Sequence, residues 1–267
     1  MFYPKDRNAL AAQVQALLAS PAVLESARSQ PLDTDPLPPQ PPKALIVPHA
    51  GYVYSGPVAA SAYRLLASLR GQIQRVVLLG PAHRAYVPAV AESGFAQFDT
   101  PLGSVTVDRD FQQRVDPALL CSSPQAHAPE HCLEVQLPFL QELLGQPQIV
   151  PLLVSDAPPA DVGTVLQQLW GGPETLIVIS SDLSHYLPYA AAKRADGDTT
   201  ERILALDTRL DGDQACGCAA INGLCWLAQK EGLRIRLLDL RSSGDTAGGR
   251  SEVVGYAAFA VYENATR

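Results

Sequence analysis

Short apolar runs that alternate with helical periodicity constrain this chain more than any other feature. Residues 44–47, 76–79, 149–154 and 176–179 are apolar stretches with the length of strands buried on both faces. Between and after them, 57–69, 130–144, 161–170, 190–206 and 217–229 read as helices. Two closing strands are expected over 235–240 and 253–261, separated by a glycine-rich loop at 242–250. This alternation predicts an α/β fold, a central mostly parallel sheet covered by helices on both faces. With 47% hydrophobic and 18% charged residues, the chain has ample material for such a core. No internal repeat interrupts the pattern, so a single domain is expected over 1–267.

Residues 1–42 read as an N-terminal helix and a connector, leaving 43–267 as the core. Leu10, Val14, Leu17 and Leu18 give 8–20 an amphipathic helix, which Pro21 ends or turns into a second short turn. Six prolines in 31–42 predict an extended segment leading to the first strand. Over 87–108, polar and apolar residues alternate around the turn signal Asp99-Thr100-Pro101-Leu102-Gly103, which predicts a β-hairpin. In 130–144, Leu133, Leu137, Leu140 and Leu144 share one helical face, with a kink expected at Pro138.

The same sequence narrows the function. A formal net charge of -7 with no basic run argues against a nucleic-acid partner. The opening Met1-Phe2-Tyr3-Pro4-Lys5 lacks the pattern of a secretory signal, and no apolar run is long enough to span a bilayer. The five cysteines are odd in number and irregularly spaced, so no disulfide framework is expected and a reducing cytoplasm is the expected location.

Three of the five histidines share one context: His49, His83 and His185 each follow the end of a predicted buried strand. In α/β sheets the carboxyl ends of the strands form the ligand crevice. Cys216 precedes the helix expected from Gly217, where the helix dipole favours a thiolate, and a thiolate with imidazoles suits zinc, copper(I) or iron. Cys218 makes a Cys-x-Cys pair with it, a weak signal for a second sulfur ligand. Asp182 stands three residues before His185, as a carboxylate ligand, a partner that orients an imidazole, or a helix cap. Glu130 and Glu134 share a helical face in the expected helix. Glu130 is read as solvated there, and Glu134 as a general base or orienting group pointing into the site. Cys121, Cys132 and Cys225 are expected as small core residues.

Taken in order, five segments resemble the Memo family, in bacteria and archaea also called AmmeMemoRadiSam system protein B. They are Pro48-His49-Ala50-Gly51-Tyr52-x-Tyr54-Ser55-Gly56, Leu79-Gly80-Pro81-Ala82-His83, Glu130-His131-x-x-Glu134-x-x-Leu137-Pro138, Ser180-Ser181-Asp182-Leu183-Ser184-His185 and Ala215-Cys216-Gly217. The resemblance spans nearly the whole chain from Lys43. It implies a fold like that of class III extradiol ring-cleaving dioxygenases, which are non-haem iron enzymes, with a pocket at the strand ends. It implies His49, His83 and Cys216 as metal ligands, with His185 lining the pocket as fourth ligand or acid/base, and it demotes Cys218. Iron is the implied metal, with copper or zinc as alternatives. One departure matters: the dioxygenases hold iron with two histidines and a carboxylate, whereas the third ligand here is the softer Cys216, so ring cleavage does not carry over directly.

Three functions follow from this reading. The first is a mononuclear metal oxidoreductase acting on a small molecule, supported by Glu134 or Asp182. The second is a non-catalytic protein that binds metal or a peptide and works with a radical-SAM protein and an AMMECR-type protein. The third is zinc-dependent hydrolysis with Glu134 or His185 as base.

Overall fold

The computed structural model describes residues 2–20 and 37–264; the expectations for Pro21 and for the prolines at 31 and 36 fall outside them. Its strands are β1 (Ala44–Val47), β2 (Arg75–Pro81), β3 (Val90–Glu92), β4 (Gln97–Thr100), β5 (Gly103–Thr106), β6 (Leu120–Ser122), β7 (Gln148–Val154), β8 (Thr175–Ser180), β9 (His185–Leu187), β10 (Arg234–Ser242) and β11 (Val253–Tyr262). All but the β4–β5 hairpin join one nine-stranded sheet, ordered β10-β11-β1-β8-β2-β7-β3-β6, with β9 paired to β11. The four apolar runs recognised in the sequence form its centre, β1-β8-β2-β7, and every pairing among them is parallel. Antiparallel β11 and β10 flank them on one side, and β3, antiparallel to β7, on the other. The sheet is therefore largely parallel at its core, as the alternation predicted.

Successive side chains in a strand point to opposite faces, and here both faces are dry. Leu45, Val47, Val76, Leu78, Leu176 and Val178 pack to one side. They meet α1 (Arg7–Ala19), α2 (Tyr52–Tyr63) and α4 (Leu137–Leu144) through residues such as Leu10, Val58 and Phe139. Ala44, Ile46, Val77, Leu79, Ile177 and Ile179 pack to the other. There they meet α5 (Pro159–Gln168) and α7 (Cys218–Glu231) through Val165, Ile221 and Leu224. The remaining helices are α3 (Pro124–His127), α6 (Tyr189–Leu204) and α8 (Ser243–Thr246). Among the described residues no helix is long and apolar enough to cross a membrane.

Two elements differ from expectation for reasons local to proline. The first helix of the core starts at Tyr52, not Pro57, and keeps Pro57 inside it before continuing as a 3₁₀ turn over Arg64–Leu69. The missing N–H of Pro57 frees the carbonyl one turn earlier, on Val53, a residue 58% exposed and open to water. In 130–144 no continuous helix forms. A 3₁₀ turn at Glu134–Gln136 precedes α4, and Pro138 lies in the first turn of that helix rather than kinking it. A first-turn position needs no N–H donor, so proline is favoured there.

Helix α6 carries a carboxylate into the interior. Asp196 is buried, accepts the Ser184 N–H at 3.0 Å, and lines a cavity of 250 Å³ with Lys193, Arg241 and Asp245. Burial pushes its carboxyl up to about 6. The folded state thus holds this proton more tightly than the unfolded chain. Its contribution to stability is complete below the unfolded carboxylate range and is lost as the pH climbs from about 4 to about 6. Asp196→Asn should therefore gain stability relative to wild type at about pH 7.5 compared with about pH 4, by on the order of 2 kcal/mol. Urea unfolding at both pH values measures this, and an equal difference at the two would refute it.

Candidate metal centre

Because β1, β8 and β2 are parallel neighbours, the turns leaving their carboxyl ends emerge side by side. His49 lies two residues past β1, His83 two past β2 and Asp182 two past β8. Cys216 reaches them from the turn before α7. Its N–H donates to the Asp182 carbonyl at 3.2 Å, and its Sγ accepts the Asp182 N–H at 3.3 Å. The next residue must be glycine for this contact to form: a Cβ on Gly217 would lie 2.8 Å from the Ser180 carbonyl oxygen.

One nitrogen each of His49 and His83 and the sulfur of Cys216 all lie within 4.8 Å of one another. Hydrogen bonding prepares both imidazoles. The Ser180 hydroxyl spends its single proton on the Cys132 carbonyl (2.7 Å) and accepts from Gln136 Nε2 (2.9 Å). Its contact with His49 Nδ1 at 3.0 Å must therefore accept a proton from that nitrogen. This places the His49 lone pair on Nε2, which faces Cys216 Sγ at 3.4 Å. His83 Nδ1 is held by Glu130 Oε2 at 2.9 Å, leaving its Nε2 as the free donor.

Electrostatics suit a cation. Burial, followed by the neighbouring His83, His131 and His185, holds His49 well below the usual imidazole range, so its ring is neutral. The expected activation of Cys216 by a helix start is not observed. The helix begins at Cys218, and burial, reinforced by Asp182, pushes the Cys216 thiol up to about 12. A thiolate at this position therefore needs a cation beside it. Asp182 is buried, and burial raises its carboxyl to about 6 against the lowering effect of the His49 N–H, which it accepts at 2.8 Å. Its second oxygen lies 4.0 Å from His49 Nε2.

Other candidates take different places. His185 opens β9 opposite Val254 and lies outside the donor cluster, although its charge reaches both His49 and Asp182. Tyr186 beside it holds φ 58, a left-handed conformation uncommon for a tyrosine. Glu134 has a partner outside the histidines: its carboxylate accepts the Tyr3 hydroxyl and anchors the N-terminal segment. Glu130 overturns its reading as a solvated residue, with a side chain 3% exposed that also accepts the Arg84 N–H. The helical-face argument failed there because 130–133 is not helical. Cys218 joins no donor cluster, Cys225 is buried in α7 and Cys121 is only partly buried. Cys132 is buried as expected, yet its sulfur clusters with His83 and Glu130.

Sequence reasoning missed Ser180, Gln136, His131 and Phe2. His131 packs its ring 5.7 Å from those of both His49 and His83 and stacks on Phe2 at 4.1 Å. Its place in Glu130-His131 beside Glu134 was one available signal, and the segment Ser180-Ser181-Asp182 another for Ser180; nothing local marks Gln136. Ser180→Ala should leave His49 free to rotate and weaken metal retention about 10- to 100-fold. Chelator competition measures this, and unchanged affinity would refute the orienting role.

A sequence model of the Memo-like protein family matches residues 1–260. The chain is 36% identical to a MEMO1 family protein of Saccharolobus solfataricus, covering 80% of each chain. It is 34% identical to one of Thermotoga sp., covering 96% of this chain and 95% of that one, and 38% identical to one of Ignicoccus hospitalis, covering 80% of each. Among solved structures, an uncharacterized protein of Escherichia coli K12 aligns with a TM-score of 0.49 at 14% identity, over 80% of this chain and 98% of that one.

Proposed function

The chain belongs to the Memo-like family, and on that premise we propose that His49, His83 and Cys216 hold one metal ion for oxidoreductase chemistry on a small molecule. The observation that carries this reading is the cluster itself: two imidazoles and a sulfur with donor atoms within 4.8 Å, each imidazole turned by a bond to its other nitrogen. Three protein donors leave coordination positions for a substrate or a small oxidant, as catalytic sites do and structural sites do not. The donor set suits iron, with copper and zinc as the alternatives. Bound there, the metal supplies a Lewis acid and, if it is iron or copper, a one-electron couple.

The chain's own residues supply the rest. Ser180 and Glu130 orient the two imidazoles, and Asp182 fixes the backbone of His49. His185, at the edge of the cluster, is the acid/base that moves a proton to or from a bound substrate. Phe2 and His131 form an aromatic wall beside His49 and His83.

The test is purification without oxygen or chelators, elemental mass spectrometry, and oxygen uptake by the iron(II)-loaded protein with a panel of catechols and other small phenols. Near-stoichiometric iron or copper with substrate-dependent uptake is the expected result. Zinc with chelator-sensitive cleavage of nitrophenyl esters would replace the redox reading with hydrolysis. Absence of metal, together with a stable complex with a radical-SAM or AMMECR-type protein, would replace it with a docking role.

A further inference from the structure

We propose that His83, Glu130 and Cys132 form a second cation position beside the first, with His83 as the bridge between the two. The inference rests on the reading of the His49–His83–Cys216 cluster as a metal site and extends it to residues which that reading leaves without a ligand role.

The donor atoms of His83, Glu130 and Cys132 also lie within 4.8 Å of one another. An imidazole, a carboxylate and a sulfur are a donor set that divalent zinc and cobalt accept. The group is held in place. Cys132 Sγ donates to the Pro81 carbonyl at 3.3 Å, and the Cys132 carbonyl accepts the Ser180 hydroxyl. Gly80 leaves the room the sulfur needs, since a Cβ there would lie 2.9 Å from Sγ.

The second observation is the contact inside the group. The Glu130 side chain is 3% exposed, and its Oε2 lies 2.9 Å from His83 Nδ1. A divalent cation among Glu130, Cys132 and His83 Nδ1 would take the place of the hydrogen bond between His83 and Glu130. Its binding releases two protons to solvent, one from the Cys132 thiol and one from His83 Nδ1, and leaves a carboxylate, a thiolate and a bridging imidazolate around it.

The test counts zinc ions on the reduced full chain by native mass spectrometry, with cobalt(II) as a spectroscopic probe of sulfur ligation. Wild type should hold two ions, and Cys132→Ser and Glu130→Gln one each. Cys216→Ser should also hold one, with a sulfur-to-cobalt absorption band that disappears in the Cys132→Ser, Cys216→Ser double variant. A wild type that saturates at one ion, unchanged by Cys132→Ser, overturns the second position and leaves the first intact. One ion retained in Cys216→Ser and lost in Cys132→Ser supports the second position while removing the first. A wild type that binds none overturns both.

Discussion

Cys216→Ala should lose the ion of the His49–His83–Cys216 position on gel filtration, with affinity there down by more than about 100-fold, beyond what removal of an orienting partner costs. The substitution takes away the only sulfur in the His49–His83–Cys216 cluster and leaves two imidazoles, too few donors for tight retention. His49→Ala and His83→Ala should behave alike, since each also leaves two donors. Cys218→Ala is the control: two residues away and outside both clusters, it should keep wild-type metal content. The fold should survive, because Cys216 Sγ serves the protein otherwise by accepting the Asp182 N–H. Elemental analysis with circular dichroism separates metal loss from unfolding. A folded Cys216→Ala protein that retains the full wild-type metal content would sink the ligand assignment.

The largest expected effect on stability lies where α5 and α7 touch backbone to backbone. A Cβ on Gly223 would lie 2.5 Å from Val162 Cβ and 3.1 Å from the Gly163 nitrogen. A Cβ on Gly163 would lie 2.9 Å from the Gly223 carbonyl oxygen. These neighbours are backbone or directly attached to it, so no rotamer change relieves them and the helices must separate. Gly223→Ala should cost about 3 kcal/mol, the upper end for overpacking, and lower Tm by roughly 10 °C for a chain of this size. Calorimetry decides it, and a Tm within a degree or two of wild type would mean the helix contact gives way cheaply. Since the turn holding Cys216 leads directly into α7, the same variant should also bind metal more weakly.

The local record in the sequence carried the central sheet and the first outline of the site. Continuous apolar runs identify β1, β2, β7 and β8 because a strand buried on both faces has no polar side to alternate with. Turn residues after β1 and β2 placed His49 and His83 at strand ends. Strands β3, β6 and β9 were missed because three residues carry too little periodicity to register. Motif resemblance supplied what patterning does not, notably the demotion of Cys218.

What only the tertiary structure decided follows from one non-local choice, the insertion of β8 between β1 and β2. That pairing puts Ser180 beneath His49 and the Asp182 turn against Cys216. The break at 130–133 turns Glu130 toward His83, while Tyr3 claims Glu134. Periodicity reports which side of an element meets the core. It carries no information on which strand lies next to which, and at this site strand order brings Ser180 and Asp182 to His49.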